Sequence, residues 1–255
     1  MKILVCIKQV PDMESKFSLD GTWYSTVDLA WRMNEYDEFG VEQAVSLKEQ
    51  VKDCDITVLC IGPTRVKETM KKALAMGCDR GVHIEDDDSA GRDPFTIASI
   101  IAEFARDKEF DLIFCGMQSQ DRASAQVGLM TAEILSIPAV STIVDFKYDS
   151  GDIQVKRELE GGIKSLVSTT TPALLTCQLG LNSPRYPTLP NIMKAKKKEL
   201  LSSPVADFLK ETPLQETAEI FFPEKKSGGL ILEGDPAELA EELLRILREK
   251  TTVMG

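Results

Sequence analysis

The chain has 255 residues, 43% of them apolar, and a formal net charge of −11. That length and apolar share support a buried core, and the acidic balance argues against general nucleic-acid binding. A single histidine, His83, and six cysteines without a Cys-x-x-Cys pair leave little for a His-based zinc site or a Ser-His-Asp triad, and the cysteines read as reduced core thiols.

The apolar runs are strand-sized, well below the roughly 20 residues that span a bilayer. Lys8 follows the short apolar start directly, without a cleavage-site pattern, so a cytoplasmic location without membrane insertion is expected. Residues 2–7 read as a strand, and 35–50 place Phe39, Val41, Ala44, Val45 and Leu47 at helical spacing. Residues 56–61 form a second strand ended by Gly62-Pro63, and 64–76 a helix with Val66, Met70, Ala73 and Leu74 on its apolar side. A short strand at 81–84 precedes the acidic stretch 85–88. Pro94 then opens a helix through Ala105, a first-turn position where the missing N–H costs nothing. Residues 112–115 give a fourth strand and 124–136 the next helix. This alternation predicts an α/β fold with a Rossmann-like parallel sheet, helices on both faces and ligands at the carboxyl ends of the strands. The loops after Ile7, Ile61, Ile84 and Cys115 are therefore the places to look.

After Pro138 the pattern changes to short strands at 142–147, 152–157, 165–168 and 173–177, joined by polar turns, which predicts antiparallel additions. From Asn182 the chain is proline-rich and loop-like, and 200–234 contains no long helix. Lys225-Lys226-Ser227-Gly228-Gly229 reads as a hinge. Residues 236–249 form an amphipathic C-terminal helix with Leu239, Leu243, Ile246 and Leu247 on one face, able to dock on its own domain or on a partner. The expected division is 1–200 for the α/β domain with its additions and 201–255 for a C-terminal arm and helix.

Three segments have the means for chemistry or recognition. Gly116 to Gly128 joins a strand to a helix whose first N–H groups are free, a recipe for holding phosphate, although an ordinary capped βα loop reads equally well. It is neither a P-loop nor a Gly-x-Gly-x-x-Gly fingerprint. The charged turn Lys156 to Gly162 reads as a solvated hairpin, or as a place where Glu158 acts electrostatically on a cofactor or partner. In Arg185 to Lys198, prolines hold Tyr186, Thr188 and Leu189 extended beside a basic cluster. That is the make-up of a transient docking loop, or of a surface loop packed on its own domain.

The run Asn182-x-Pro184-Arg185-Tyr186-x-Thr188-Leu189-Pro190-Asn191-Ile192-Met193-Lys194-Ala195-Lys196-Lys197-Lys198 resembles the recognition loop of electron transfer flavoprotein β subunits almost residue for residue. Val10-Pro11-Asp12, Asn34-Glu35-Tyr36-Asp37, Ala73 to Gly81, Gln118 to Gly128, and Arg157-Glu158-x-Glu160-Gly161-Gly162 followed by Pro172 to Thr176 resemble the family in the expected order. The resemblance implies an adenine nucleotide α-hydrolase-like fold and a heterodimer with an α subunit that holds the redox-active FAD. It implies a structural AMP in the β subunit, with contacts at Cys6, Asn34, Glu35, Tyr36, Asp37, Ile61, Gly116, Gln118, Asp121, Ser124, Ala125, Gln126 and Val127. Glu158 matches a glutamate near the α-subunit FAD. Leu189 matches the anchor placed in an acyl-CoA dehydrogenase pocket, with Tyr186, Ile192, Met193, Lys194 and Lys197 around it. Met13 and Lys164 depart from the family pattern, the first beside the flavin and the second on the surface.

One branch of that family carries a second FAD in place of AMP and bifurcates electrons. Its members resemble Ala-Gly-Ser-Asp-Thr-x-Ala-Thr-Ser before the third helix, whereas this chain has Ala90-Gly91-Arg92-Asp93-Pro94-Phe95-Thr96-Ile97-Ala98. Pro94 and Ile97 remove the hydroxyls, which favours AMP, while Arg92 remains available as a phosphate partner. The expected function is electron carriage from acyl-CoA dehydrogenases to a quinone-linked or iron–sulfur oxidoreductase, without bond-changing catalysis by this chain. A free-standing adenine-nucleotide sensor of the universal-stress type shares the architecture, but needs neither the 185–198 loop nor a partner helix. A nucleotide-hydrolysing ligase would want Ser-Gly-Gly-x-Asp-Ser after its first strand, where Lys8-Gln9-Val10-Pro11-Asp12 stands.

Overall fold

The computed structural model describes residues 1–21, 23–224 and 229–250. In chain order the elements are β1 (Lys2–Ile7), β2 (Gln9–Pro11), β3 (Leu19–Asp20), β4 (Trp23–Tyr24), β5 (Trp31–Met33), α1 (Glu35–Gln50), β6 (Asp55–Gly62), α2 (Val66–Met76), β7 (Arg80–Glu85), α3 (Pro94–Ala105), β8 (Leu112–Gly116), α4 (Val127–Leu135), β9 (Ala139–Asp149), β10 (Asp152–Glu158), β11 (Lys164–Thr170), β12 (Ala173–Cys177), α5 (Leu189–Ala195), β13 (Leu200–Pro204) and α6 (Pro236–Lys250). The chain forms two compact units, Met1–Ile220 and Phe221–Gly255.

The first unit is built on a nine-stranded sheet of order β11-β10-β9-β12-β8-β1-β6-β7-β13. Side chains of β1 alternate between faces, as the pleat requires. Ile3, Val5 and Ile7 join a core with Val41, Leu47, Met70 and Leu74 of α1 and α2. Leu4 and Cys6 join the opposite core with Ile100, Phe104 and Ala132 of α3 and α4. Burial on both faces explains why β1, β6 and β8 read as continuous apolar runs. β1 pairs in parallel with both β6 and β8, so the chain winds outward in opposite directions from β1. That reversal opens a crevice at the carboxyl ends of the two strands.

The expected α/β class and the antiparallel additions are present: β9 lies parallel to β12, and β10 and β11 follow as an antiparallel meander. Along β10, buried Ile153 and Val155 alternate with exposed Asp152, Gln154 and Lys156, the pattern of a strand wet on one face.

Three local expectations are corrected. The helix expected from residue 124 begins at Val127, because Ala123 and Ala125 take left-handed backbone angles (φ 50° and 54°) that no α-helix accommodates. The stretch from Asn182, read as loop, contains α5, whose N-cap Thr188 accepts from the Asn191 N–H at 3.4 Å, with Pro190 in the first turn. Leu200–Pro204, within the same loop-like stretch, is the edge strand β13, parallel to β7 from Leu200↔Gly81 to Pro204↔Glu85. All six cysteines are buried free thiols. No helix among the described residues is long and apolar enough to cross a membrane.

In the second unit, α6 follows Asp235, whose carboxylate accepts from the Ala237 and Glu238 N–H groups. None of its residues is buried. Residues 225–228 of the expected hinge lie outside the described residues.

Candidate functional site

The crevice at the sheet's switch point has an empty volume of about 1190 Å³, open mouth included. Ligand clefts run from roughly 300 to 1,000 Å³. Its floor is apolar: Cys6, Ile7, Leu59, Ile61, Ile97, Ile101 and Cys115 all line it. The Cys6 thiol is pushed well above its ordinary pKa by its hydrogen bond to the Cys115 thiol and by burial, which keeps this part of the floor neutral. All four loops singled out by the strand pattern contribute to the wall.

The loop after β8 is held from behind by the start of α1. Buried Asp37 accepts the backbone N–H of Lys8 at 2.6 Å, Asn34 Nδ2 at 3.0 Å and the Gly116 N–H at 3.0 Å. Asn34 Nδ2 also donates to the Gln118 carbonyl at 2.9 Å, and Asn34 Oδ1 accepts the Gln120 N–H at 3.0 Å. One carboxylate and one amide thus tie β1, α1 and the loop together. Burial pushes Asp37 up to about 7 despite these donors. The contact is close enough to demand glycine at 116, where an added Cβ would fall 2.2 Å from Asp37 Oδ1.

Beyond Gly116 the loop rises to Asp121, where Lys8 Nζ donates to both carboxylate oxygens at 2.7 and 2.8 Å. It then feeds α4, whose first N–H groups have no intrahelical acceptor, and residues 124–128 at that helix start line the crevice. Arg92, a candidate phosphate partner, instead grips Asp86 with Nε and Nη2, at 2.5 and 2.9 Å.

Of the sequence-derived nucleotide residues, Cys6, Asn34, Asp37, Ile61, Gly116, Gln118, Asp121, Ser124, Ala125, Gln126 and Val127 line this one crevice. Glu35 and Tyr36 stand behind it: Glu35 Oε2 accepts from Gln120 Nε2 at 2.9 Å and the Tyr36 hydroxyl from Gln118 Nε2 at 3.1 Å. Sequence reasoning missed Gln9, Tyr24, Trp31 and Arg65 in the wall, and within the predicted 116–128 loop it did not single out Arg122. Arg65 and Arg122 sit in two of the loops flagged by the strand pattern. Residues 9–33 carry no periodic signal that would have placed Tyr24 and Trp31.

Glu158 lies away from the crevice at the end of β10, opposite Lys164, and accepts from Gln178 Nε2 at 3.0 Å. The 182–198 segment forms a separate surface. Tyr186 (91% exposed), Leu189 (79%), Ile192 and Met193 project from it uncovered, with Lys194 and Lys197 exposed beside them. Only Ala195 of α5 is buried.

An α/β sheet with a polar-rimmed, apolar-floored crevice at its switch point is a Rossmann-like fold with its ligand crevice in the usual place. The Electron transfer flavoprotein domain model matches residues 22–208. The chain is 38% identical to the electron transfer flavoprotein subunit beta of Bacillus subtilis (strain 168) over all of both chains. It is 34% identical to that of Methylophilus methylotrophus, covering 98% of each. The Homo sapiens subunit beta is 35% identical over 86% of this chain and 92% of its own. The chain belongs to the electron transfer flavoprotein family.

Proposed function

We propose that this chain is the β subunit of a heterodimeric electron transfer flavoprotein, holding AMP in the switch-point crevice and pairing with an α subunit that binds most of the FAD. The reading rests on one observation: residues that resemble the family's AMP contacts, spread from Cys6 to Val127, line a single crevice. The donor set fits a purine monophosphate. An apolar floor suits the base, and the free first-turn N–H groups of α4 suit the phosphate. The 34–37 turn holds the loop between them, so Asn34 and Asp37 preorganise it while Glu35 and Tyr36 brace it from outside.

AMP is favoured over a second flavin because Pro94 and Ile97 line the wall without a hydroxyl, and because the Arg92 charge is already taken by Asp86. The flavin held mainly by the α subunit supplies the redox chemistry. Glu158 is assigned to the subunit boundary near it. The exposed apolar residues of the 186–193 stretch, with Lys194 and Lys197 beside them, suit a transient contact with acyl-CoA dehydrogenases: one anchor, Leu189, and a positive field for steering. Electrons then pass to a quinone-linked or iron–sulfur oxidoreductase. The chain is placed in the cytoplasm as a carrier subunit that makes and breaks no substrate bonds.

The test is to co-express the chain with its α subunit, denature the purified complex and count the released nucleotides. One FAD with one AMP per complex is expected. Two FAD with no AMP would replace this reading with the bifurcating one.

A further inference from the structure

Four cationic side chains line the crevice: Lys8, Arg65, Arg92 and Arg122. Lys8 is neutralised by Asp121 and Arg92 by Asp86. Arg65 and Arg122 have no carboxylate within 4.0 Å among the described residues. Instead each guanidinium lies on an indole face, Arg65 3.9 Å from the Trp31 ring centroid and Arg122 4.1 Å from that of Trp23. Arg122 Nη2 also donates to the Ala90 carbonyl across the mouth. A stacked guanidinium keeps its edge N–H groups free for an anion, and stacking lowers the conformational freedom lost when it binds one.

The two tryptophans come from the small ribbons β3–β4 and β2–β5, and Tyr24, in the crevice wall, packs on Trp23 with ring centroids 4.8 Å apart. Burial and the Asp121 carboxylate push the Tyr24 phenol up to about 12, while Arg65 and Arg122 both act on it in the opposite sense. The two guanidiniums therefore lie within electrostatic reach of one wall residue, at the same end as the 119–127 loop. An acidic protein that keeps two cations without a direct carboxylate partner at one cleft has a local field there that favours an anion.

We propose that Arg65 and Arg122 are the anion-selecting residues of the crevice, contacting the nucleotide's phosphate at its mouth, with Trp31 and Trp23 as the platforms that position them. The proposal rests on the nucleotide reading above and adds to it a source of selectivity. The floor would accept adenosine and AMP alike, and the two arginines make the phosphate count. A guanidinium contributes charge-assisted bonds to a phosphate that a neutral ligand cannot receive.

The test uses the nucleotide-stripped full-length chain, titrated calorimetrically with AMP and with adenosine, in wild type, Arg65→Gln, Arg122→Gln and Arg122→Lys. Thermal unfolding of each variant serves as a check on folding. In wild type AMP binds more tightly than adenosine. Each Gln variant is expected to lower AMP affinity by about tenfold or more while leaving adenosine affinity unchanged, and Arg122→Lys to keep most of the preference. Equal weakening of both ligands would assign the arginines to packing of the crevice wall alone and overturn the proposal, as would an unchanged AMP preference in both Gln variants. Failure of the wild type to bind either ligand is a separate outcome, which brings down the nucleotide reading and this proposal with it.

Discussion

Arg185 wraps Glu42: its backbone N–H and Nε donate to Glu42 Oε2 at 3.0 and 2.8 Å, and its Nη2 to Oε1 at 2.8 Å. Nη1 reaches on to Glu49 at 2.5 Å. The start of the 182–198 segment is thereby bolted to α1, and Asn182 adds a bond to the Phe39 carbonyl at 3.0 Å. Burial works against a charge on Glu42, yet the Arg185 bonds hold its carboxyl below the ordinary value. Arg185 is thus an internal fastener, and the exposed Tyr186 next to it is free to meet a partner.

Replacing Arg185 with Met leaves the mostly buried Glu42 carboxylate without its cation. Stability is expected to fall by about 1–3 kcal/mol in urea denaturation, with faster proteolytic cleavage near residue 186. A double-mutant cycle with Glu42→Gln should return a coupling of at least about 0.5 kcal/mol. Additive effects would deny the fastening role.

Leu189→Ala removes an exposed side chain, so stability should stay within about 0.5 kcal/mol of wild type. Reduction of the complex's flavin by a dehydrogenase should slow, with nucleotide content intact. Unchanged stopped-flow reduction kinetics would remove α5 from the docking role.

Two lysines from the basic cluster should behave differently. Lys198 Nζ donates to the Leu74 and Cys78 carbonyls at 2.9 and 2.5 Å and so caps the end of α2, whereas Lys197 is exposed. Lys198→Ala is expected to cost about 1 kcal/mol of stability, with little change in how salt affects partner association. Lys197→Ala should leave stability alone and flatten the salt dependence of the association rate.

Asp37 makes stability depend on pH. Its folded-state pKa is raised by burial from 3.8 to about 7, so folding favours its protonated form. The associated stabilisation is complete below 3.8 and is lost as pH rises through about 7. Asp37→Asn does not titrate, so the difference in melting temperature, wild type minus variant, should decrease from pH 4 to about pH 7 and level off above it. A difference that is flat across that range would show that the three N–H donors keep the carboxylate ionised throughout.

Gly116→Ala drives a methyl group against Asp37 and the Tyr36 Cβ, which a Cβ would approach to 2.8 Å. Stability is expected to drop by about 1–3 kcal/mol, and AMP content of the purified complex to fall with it. Full AMP occupancy in a well-folded variant would show that the loop can shift without loss of the site.

The sequence by itself determined the central sheet, because β1, β6, β7 and β8 are short apolar runs separated by helices whose apolar residues recur at 3.6-residue spacing. Both signals are local and survive without tertiary context. It also carried the family resemblance, since motifs such as Asn34 to Asp37 and Asn182 to Lys198 are contiguous. The tertiary structure alone decided which members of those motifs face the crevice. Glu35 and Tyr36 sit between Asn34 and Asp37 in sequence, yet the first turn of α1 points them at the outside of the loop. The fold likewise recruited β13 to the sheet edge beside β7, a pairing that Leu200-Leu201-Ser202-Ser203 does not advertise. It set Arg65 and Arg122 on tryptophans from distant ribbons. It also divided one basic cluster between a helix cap and a free surface, because a side chain's role depends on which carbonyls, rings and carboxylates long-range packing brings within a few ångströms of it.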